Sequence, residues 1–561
     1  MRAAFSPPQK AGSKKHLVII AICFILVLLA ALLLPFWVKI SKRPSVSSIN
    51  PSIGDPGSRM VIRGANFGNE RGDGKVEFDG VSPSSSAYVS WHDDYIELLI
   101  PVFVESSLIR VVNSYGKSNS MIFMSSNLLP ATPAGKGSVS LGPSIDSLSS
   151  NSGSIGALLV IKGLNFGANK GDSSVRFSWQ GESGVYAPGE EAQKNYVSPS
   201  ETIGEYESWT DKEIKLRIPD GATSGGISVV TERGSSPVQY FQIVDSPGTK
   251  LYAGRKTYAL SSFVSISRVN ARVPSALYLW VPSPQESPYQ KSIKEPVRSS
   301  EALFPDYKGL SVYRIVDPKA DTVYSISQDF VIQVYGVASD IKADKIKTAP
   351  APLPRFYSAL TAPDAFVTSD APEIQAFSKK LAAKEKNPYK LAKLALDTII
   401  SSIVYDPSYI SYNLPLTIES GKADAWDMAL LYTAVLRALG IPALPVAGVV
   451  MDDKRKAWPH FWTEFYIYGI GWIPVDPVLA GGASIGSFVA PFSDSSLYFG
   501  NMDDRHITFS RGLSQVDRIT PDGKSVSASR RYSFQSIFEE AAGELESYTS
   551  FWSDIEITGV Y

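Results

Sequence analysis

The chain has 561 residues, 44% of them apolar, and 54 Lys and Arg against 55 Asp and Glu, a formal net charge of −1. That length allows several domains of roughly 100–200 residues each, and the balanced charge excludes the basic footprint of a nucleic-acid binder. Cys23 is the single cysteine, so no disulfide can form within the chain. The first predicted element is the run from Leu17 to Val38, which holds no charged residue. It matches the roughly 20 residues that cross about 30 Å of hydrocarbon. It is expected to be a transmembrane helix, with residues 1–16 as a cytoplasmic tail. Lys14, Lys15 and His16 flank it on one side and Lys39, Lys42 and Arg43 on the other. Arg2 and Lys10 tip the positive-inside bias toward a cytoplasmic N-terminus and an extracytoplasmic bulk, periplasmic or at the cell surface. A cleaved signal peptide is the rival reading, but the apolar core is long for one and no small-x-small cleavage site follows.

Residues 44–125 and 143–246 repeat one pattern. Val61-Ile62-Arg63-Gly64-Ala65-Asn66-Phe67-Gly68 corresponds to Val160-Ile161-Lys162-Gly163-Leu164-Asn165-Phe166-Gly167, and Trp91 with Ile96, Leu98 and Ile100 corresponds to Trp209 with Ile214, Leu216 and Ile218. The offset grows from 99 to 118 residues between these motifs, so the second copy holds 19 more, within about Gln180–Tyr206. Alternating apolar residues and frequent Gly, Asn and Asp predict short strands joined by tight turns, a β-sandwich. Both copies resemble IPT/TIG domains, an immunoglobulin-like family. The resemblance implies stalks or binding modules, either a spacer or a ligand site in the polar insertion. His92 reads as a surface loop residue, and Asp93 and Asp94 lack the spaced acidic set that calcium needs. Residues 126–142, rich in Pro, Ala, Gly and Ser, read as a linker.

Residues 252–345 keep a strand pattern, as in Ala276-Leu277-Tyr278-Leu279-Trp280-Val281 and Phe330-Val331-Ile332-Gln333-Val334-Tyr335. Residues 355–561 then begin with helical spacing. Pro372 suits a helix start, with Ile374, Phe377 and Leu381 on one face. A second helix carries Leu391, Leu394, Ala395 and Ile399 and ends near Ser402. A third is capped by Asp424 or its neighbours and stops at Gly440, with Ala429, Tyr432, Leu436 and Leu439 on its core face. The strands Ala443–Val450 and Trp462–Ile467 follow. Residues 533–553 space Ile537, Phe538, Ala541, Leu545 and Tyr548 like an amphipathic helix.

Leu436-Arg437-Ala438-Leu439-Gly440-Ile441-Pro442, His460-x-Trp462-x-Glu464 and Trp472-x-x-x-Asp476-Pro477 together resemble the core of the transglutaminase-like superfamily. The stretch Arg505-His506-Ile507-Thr508-Phe509-Ser510-Arg511-Gly512 is similar to a late feature of its bacterial members. The resemblance implies an α+β, papain-like domain with a Cys, His and Asp. Counting back from Gly440 puts the nucleophile position at Ala425, while His460 and Asp476 match the other two. A methyl group cannot attack a carbonyl. The whole is therefore expected to be multidomain: a transmembrane helix, two immunoglobulin-like sandwiches, a β region and a transglutaminase-like domain without its nucleophile. It would bind a peptide, a protein or a cell-envelope polymer in the vacated cleft, flanked by Trp426 and Trp462, with the membrane reached through residues 17–38. No cofactor or metal is implied. A cysteine-independent hydrolase or transferase using His460 and Asp476, and a purely structural stalk, are the alternatives.

Overall fold

The computed structural model describes residues 42–561 except 52, 55–57, 79, 102–105, 126–141, 180, 182–195, 295, 348, 384, 412, 492–493, 521–522 and 528–530. The expected membrane span at 17–38 and almost all of the expected linker lie outside the described residues. Among the described residues, no helix is long and apolar enough to cross a membrane. The described residues fall into two compact units, one within residues 42–125 and the other within 142–561.

The first unit is a β-sandwich. One sheet is ordered Ser45–Asn50, Arg59–Ala65, Tyr95–Leu99, Tyr88–Trp91, and the other Ile53–Gly54, Met121–Ser125, Ser106–Asn113, Lys75–Phe78. Its core holds Met60, Ile62, Phe67, Val76, Ile96, Leu98 and Phe123. The second unit opens with a sandwich of the same design, in the order Ser144–Leu148, Leu158–Leu164, Glu213–Arg217, Tyr206–Trp209 for the matching sheet. The repeated motif has one physical role in both copies. Asn66 and Asn165 both take φ +61, a left-handed turn that Asn tolerates better than most residues. The turn is tied down by Gly68 N donating to Asp93 Oδ1 at 2.9 Å, and by Gly167 N donating to Asp211 Oδ1 at 3.1 Å. Trp91 Nε1 donates to Phe67 O and Trp209 Nε1 to Phe166 O. Asp93 therefore holds a turn.

Next in the second unit comes a large antiparallel sheet. Its longest strand, β1 (Gly248–Pro282), pairs with β2 (Leu310–Val316) and β3 (Tyr324–Ile341). Among the helices that follow are α1 (Pro372–Leu381), α2 (Pro388–Ser402) and α3 (Ala425–Ala438). Asn387 caps α2 and Asp424 caps α3. Gly440, at φ +75, ends α3 in the left-handed conformation. The expected single core face of α3 proves too narrow, because every residue from Ala425 to Arg437 is buried. The helix packs on a four-stranded sheet. Its strands are β4 (Ala443–Met451), β5 (Ala457–Ile467), β6 (Gly471–Val475) and, after the short helix α4 (Pro477–Ala480), β7 (His506–Arg511), in the order β6-β5-β4-β7. β5 starts three residues ahead of His460, so that histidine is inside the strand rather than at its start.

The C-terminal stretch corrects the expected amphipathic helix. It forms β8 (Glu539–Trp552) and β9 (Glu556–Val560), both antiparallel to β1. Register breaks opposite Ser267–Ser275 let the apolar residues reach the core without strict alternation. Pairing with β1 overrides the local spacing. The expected boundary between residues 252–345 and 355–561 also dissolves at this point, because the last strands complete the sheet begun at Gly248.

Candidate functional site

Sheet order brings the site together. On β4, Gly448 lies opposite His460 of β5, and Val450 lies opposite His506 of β7. Positions two apart on a strand share a face, so the two histidines meet across β4. Asp476 follows β6 and caps α4. Its Oδ1 accepts from Val478 N and Leu479 N, both at 3.0 Å. Its Oδ2 accepts from His460 Nε2 at 2.6 Å and from His506 Nε2 at 3.1 Å. One carboxylate thus serves four donors, and all three side chains are shut from water at 0–1% exposure.

The charges are ordered. Burial alone would raise Asp476, but the imidazoles of His460 and His506 outweigh it and hold the carboxyl below the ordinary range. His506 Nδ1 donates to Asp503 Oδ1 at 2.9 Å, and the Tyr498 hydroxyl donates to Asp503 Oδ2 at 2.6 Å. Burial would lower His506, yet the carboxylates of Asp503 and Asp476 push it up to about 9. With both nitrogens donating, His506 is an imidazolium at neutral pH. His460 differs. Its Nε2 is engaged by Asp476, and its Nδ1 makes no hydrogen bond among the described residues.

The helix side is equally fixed. Asp424 Oδ1 accepts from Asp427 N at 2.8 Å and so caps α3. Ala425 is the first helical residue and is 9% exposed. Thr463 of β5 donates to Ala429 O of α3 at 3.0 Å. Tyr405 pairs with Ala423 in a short parallel ladder. Burial first, then the carboxylates of Asp424 and Asp476, raise its phenol.

Trp426 and Trp462 do not flank a cleft as expected. Trp426 packs against Phe366, Phe461 and Phe534 with ring centroids 4.5–5.4 Å apart. Trp462 is 0% exposed, stacked on His460 and edge-on to His506. Trp462 thus packs directly on the two histidines, while Trp426 sits in an aromatic cluster. His506, Asp503 and Tyr498 belong to the site, although sequence reasoning gave them no role. His506 was visible only as part of a late motif, since no sequence spacing ties it to Asp476. His460, Asp476 and His506 offer ligand atoms within 4.8 Å of one another, the arrangement a metal ion could use. In this geometry the atoms are joined by hydrogen bonds instead.

Residues 375–477 match the transglutaminase-like superfamily. The chain contains a transglutaminase-like domain. Residues 44–130 and 143–182 match the IPT/TIG domain. An uncharacterized protein of Haemophilus influenzae is 26% identical over 129 residues, 18% of this chain and 35% of that protein, so the chain spans about a third of that relative. A solved structure from Cytophaga hutchinsonii, provisionally assigned as a cysteine protease, aligns at 15% identity and a TM-score of 0.38, over 56% of this chain and 92% of its own. A protein from a xyloglucan utilization locus of Bacteroides uniformis aligns at 11% identity and a TM-score of 0.14, over 53% of this chain and 99% of its own. The transglutaminase-like domain thus pairs His460 with Asp476 on the sheet against which the capped helix α3 packs, and that helix starts with a methyl group at Ala425.

Proposed function

We propose that this is a membrane-anchored, extracytoplasmic binding and scaffold protein whose transglutaminase-like domain has lost its nucleophile at Ala425. The observation that carries the reading is the state of His460. It is oriented by Asp476 through Nε2 and keeps Nδ1 unpartnered, the disposition of a general base awaiting a thiol. No thiol is there to use it. The IPT/TIG domains lie between the apolar run at 17–38 and this domain, as a spacer would. The near-complete burial of His460, Asp476 and Trp462 favours a scaffold over a wide open cleft.

The competing reading is a cysteine-independent hydrolase or transferase acting through His460 and Asp476. Ammonia release from glutamine-containing peptides separates the two. The native chain is expected to release none above buffer. Turnover that disappears in His460→Ala would contradict the proposal.

A further inference from the structure

The sandwich that opens the second unit meets the rest of that unit around five buried ionisable side chains. Glu205 and Asp220 come from the sandwich, Lys250 from β1, Glu464 from β5 and Arg511 from β7. Three are acids and two are bases. The bases are already committed. Lys250 Nζ donates to Asp220 Oδ1, and Arg511 donates through Nε and a terminal nitrogen to Glu464 Oε2. Glu205 is the acid left over. It is 4% exposed. Its Oε2 accepts from Ser200 N at 2.7 Å, and among the described residues it has no ion pair.

The other ionisable groups around it do not supply the missing positive charge. On the sandwich, Arg217 is paired with Glu207 at 2.5 Å and Lys170 with Glu201 at 3.0 Å. Burial holds the phenols of Tyr206, Tyr252, Tyr289 and Tyr466 above their ordinary range, so they stay neutral. With Glu205 protonated, the joint is electrically balanced. With Glu205 ionised, it holds one uncompensated negative charge, and a buried charge without a partner is costly. Burial, with Asp220 adding to it, outweighs Ser200 N and Arg511 and pushes Glu205 up to about 7.

A route to water adjoins the group. Glu205, Asp220, Trp472 and Arg511 line a cleft of about 1030 Å³ whose walls are the sandwich and the loops and strands around residues 283–309. Parting of those walls would hydrate the Glu205 carboxylate. We infer that Glu205 is a pH-operated latch: protonated, it lets the sandwich close on the core, and ionised, it drives the two apart along this cleft. The sign follows from linkage. The closed value of about 7 lies above the ordinary 4.5 to which a hydrated carboxyl returns. The closed joint is therefore favoured in full below about pH 4.5, and the preference is lost as pH rises through about 7.

Spin labels report the joint directly. One is placed on the sandwich through Lys212→Cys and one on α1 through Lys380→Cys, both exposed positions, in the full chain with Cys23→Ser. Double electron–electron resonance is recorded at about pH 6 and about pH 8.5, either side of the closed value. The expected result is a second population at longer distance whose ratio to the first rises about tenfold between the two pH values. Glu205→Gln should hold the first population alone at both. The inference is overturned if the native distance distribution is the same at both pH values, a result that needs no variant, or if Glu205→Gln shows the same pH-dependent change as the native chain.

Discussion

The Asp476 carboxylate takes four hydrogen bonds, two from backbone nitrogens of α4 and two from the imidazoles of His460 and His506. The pair His460 and Asp476 could be read from motif spacing. The second histidine could not, because Asp503 and His506 reach Asp476 only through the order of strands β5, β4 and β7. Ala425 was legible from the count back from Gly440, whereas the roles of Trp426 and Trp462 were not, since burial is decided by packing partners far away in sequence. The charge on His506 has a measurable consequence. Its folded value of about 9 lies above the unfolded value of about 6.5. The stabilisation is therefore fully present below about pH 6.5 and is lost as pH rises through about 9. By linkage it amounts to something on the order of 3 kcal/mol. Denaturant unfolding of the native chain is expected to weaken across that window. His506→Gln should flatten the decline. An equal slope in both proteins would mean the imidazolium is not there.

At the scale of elements, α1, α2 and α3 were foreseeable because caps and prolines mark their starts and Gly440 marks an end. The C-terminal β8 was not, because its apolar spacing mimics a helix and only β1, some 270 residues earlier, decides the outcome. The core sheet depends on close approach at one point. A Cβ on Gly448 would fall 1.9 Å from Ile507 O and 3.1 Å from the Trp462 ring. Backbone cannot yield as a flexible side chain can. Gly448→Ala should cost about 3 kcal/mol, the upper end for overpacking, and should move His460 and His506 apart. Denaturant midpoints check the first part, and histidine NMR shifts the second. A neutral effect would show that β4 and β7 are less tightly paired than described.

At the scale of the second unit, the sandwich is fastened to the core by a buried ionic cluster that no sequence pattern announced. Lys250 Nζ donates to Asp220 Oδ1 and, at 2.7 Å, to Trp472 O. Trp472 N donates to Asp220 Oδ2 at 3.0 Å, and the Tyr252 hydroxyl donates to Oδ1 at 3.2 Å. Glu464 holds Arg511 and the Tyr289 hydroxyl nearby. Asp220→Ala leaves the Lys250 ammonium buried without its counter-ion. Breaking a buried pair on one side typically costs about 3–5 kcal/mol. Loss of a shared unfolding transition between sandwich and core is expected, seen as two steps by tryptophan fluorescence. A single unshifted transition would show that the cluster does not couple them.

Under the proposed function, the transglutaminase-like site keeps its base, His460, and its orienting carboxylate, Asp476, and lacks only the nucleophile. The direct measurement is the iodoacetamide alkylation rate of Ala425→Cys against pH, in a chain whose one native thiol is removed by Cys23→Ser. The expected result is a thiol that reacts as thiolate well below its reference pKa of about 8.5, and that loses this shift with His460→Ala. A thiol that titrates normally, or that keeps its shift without His460, would contradict it.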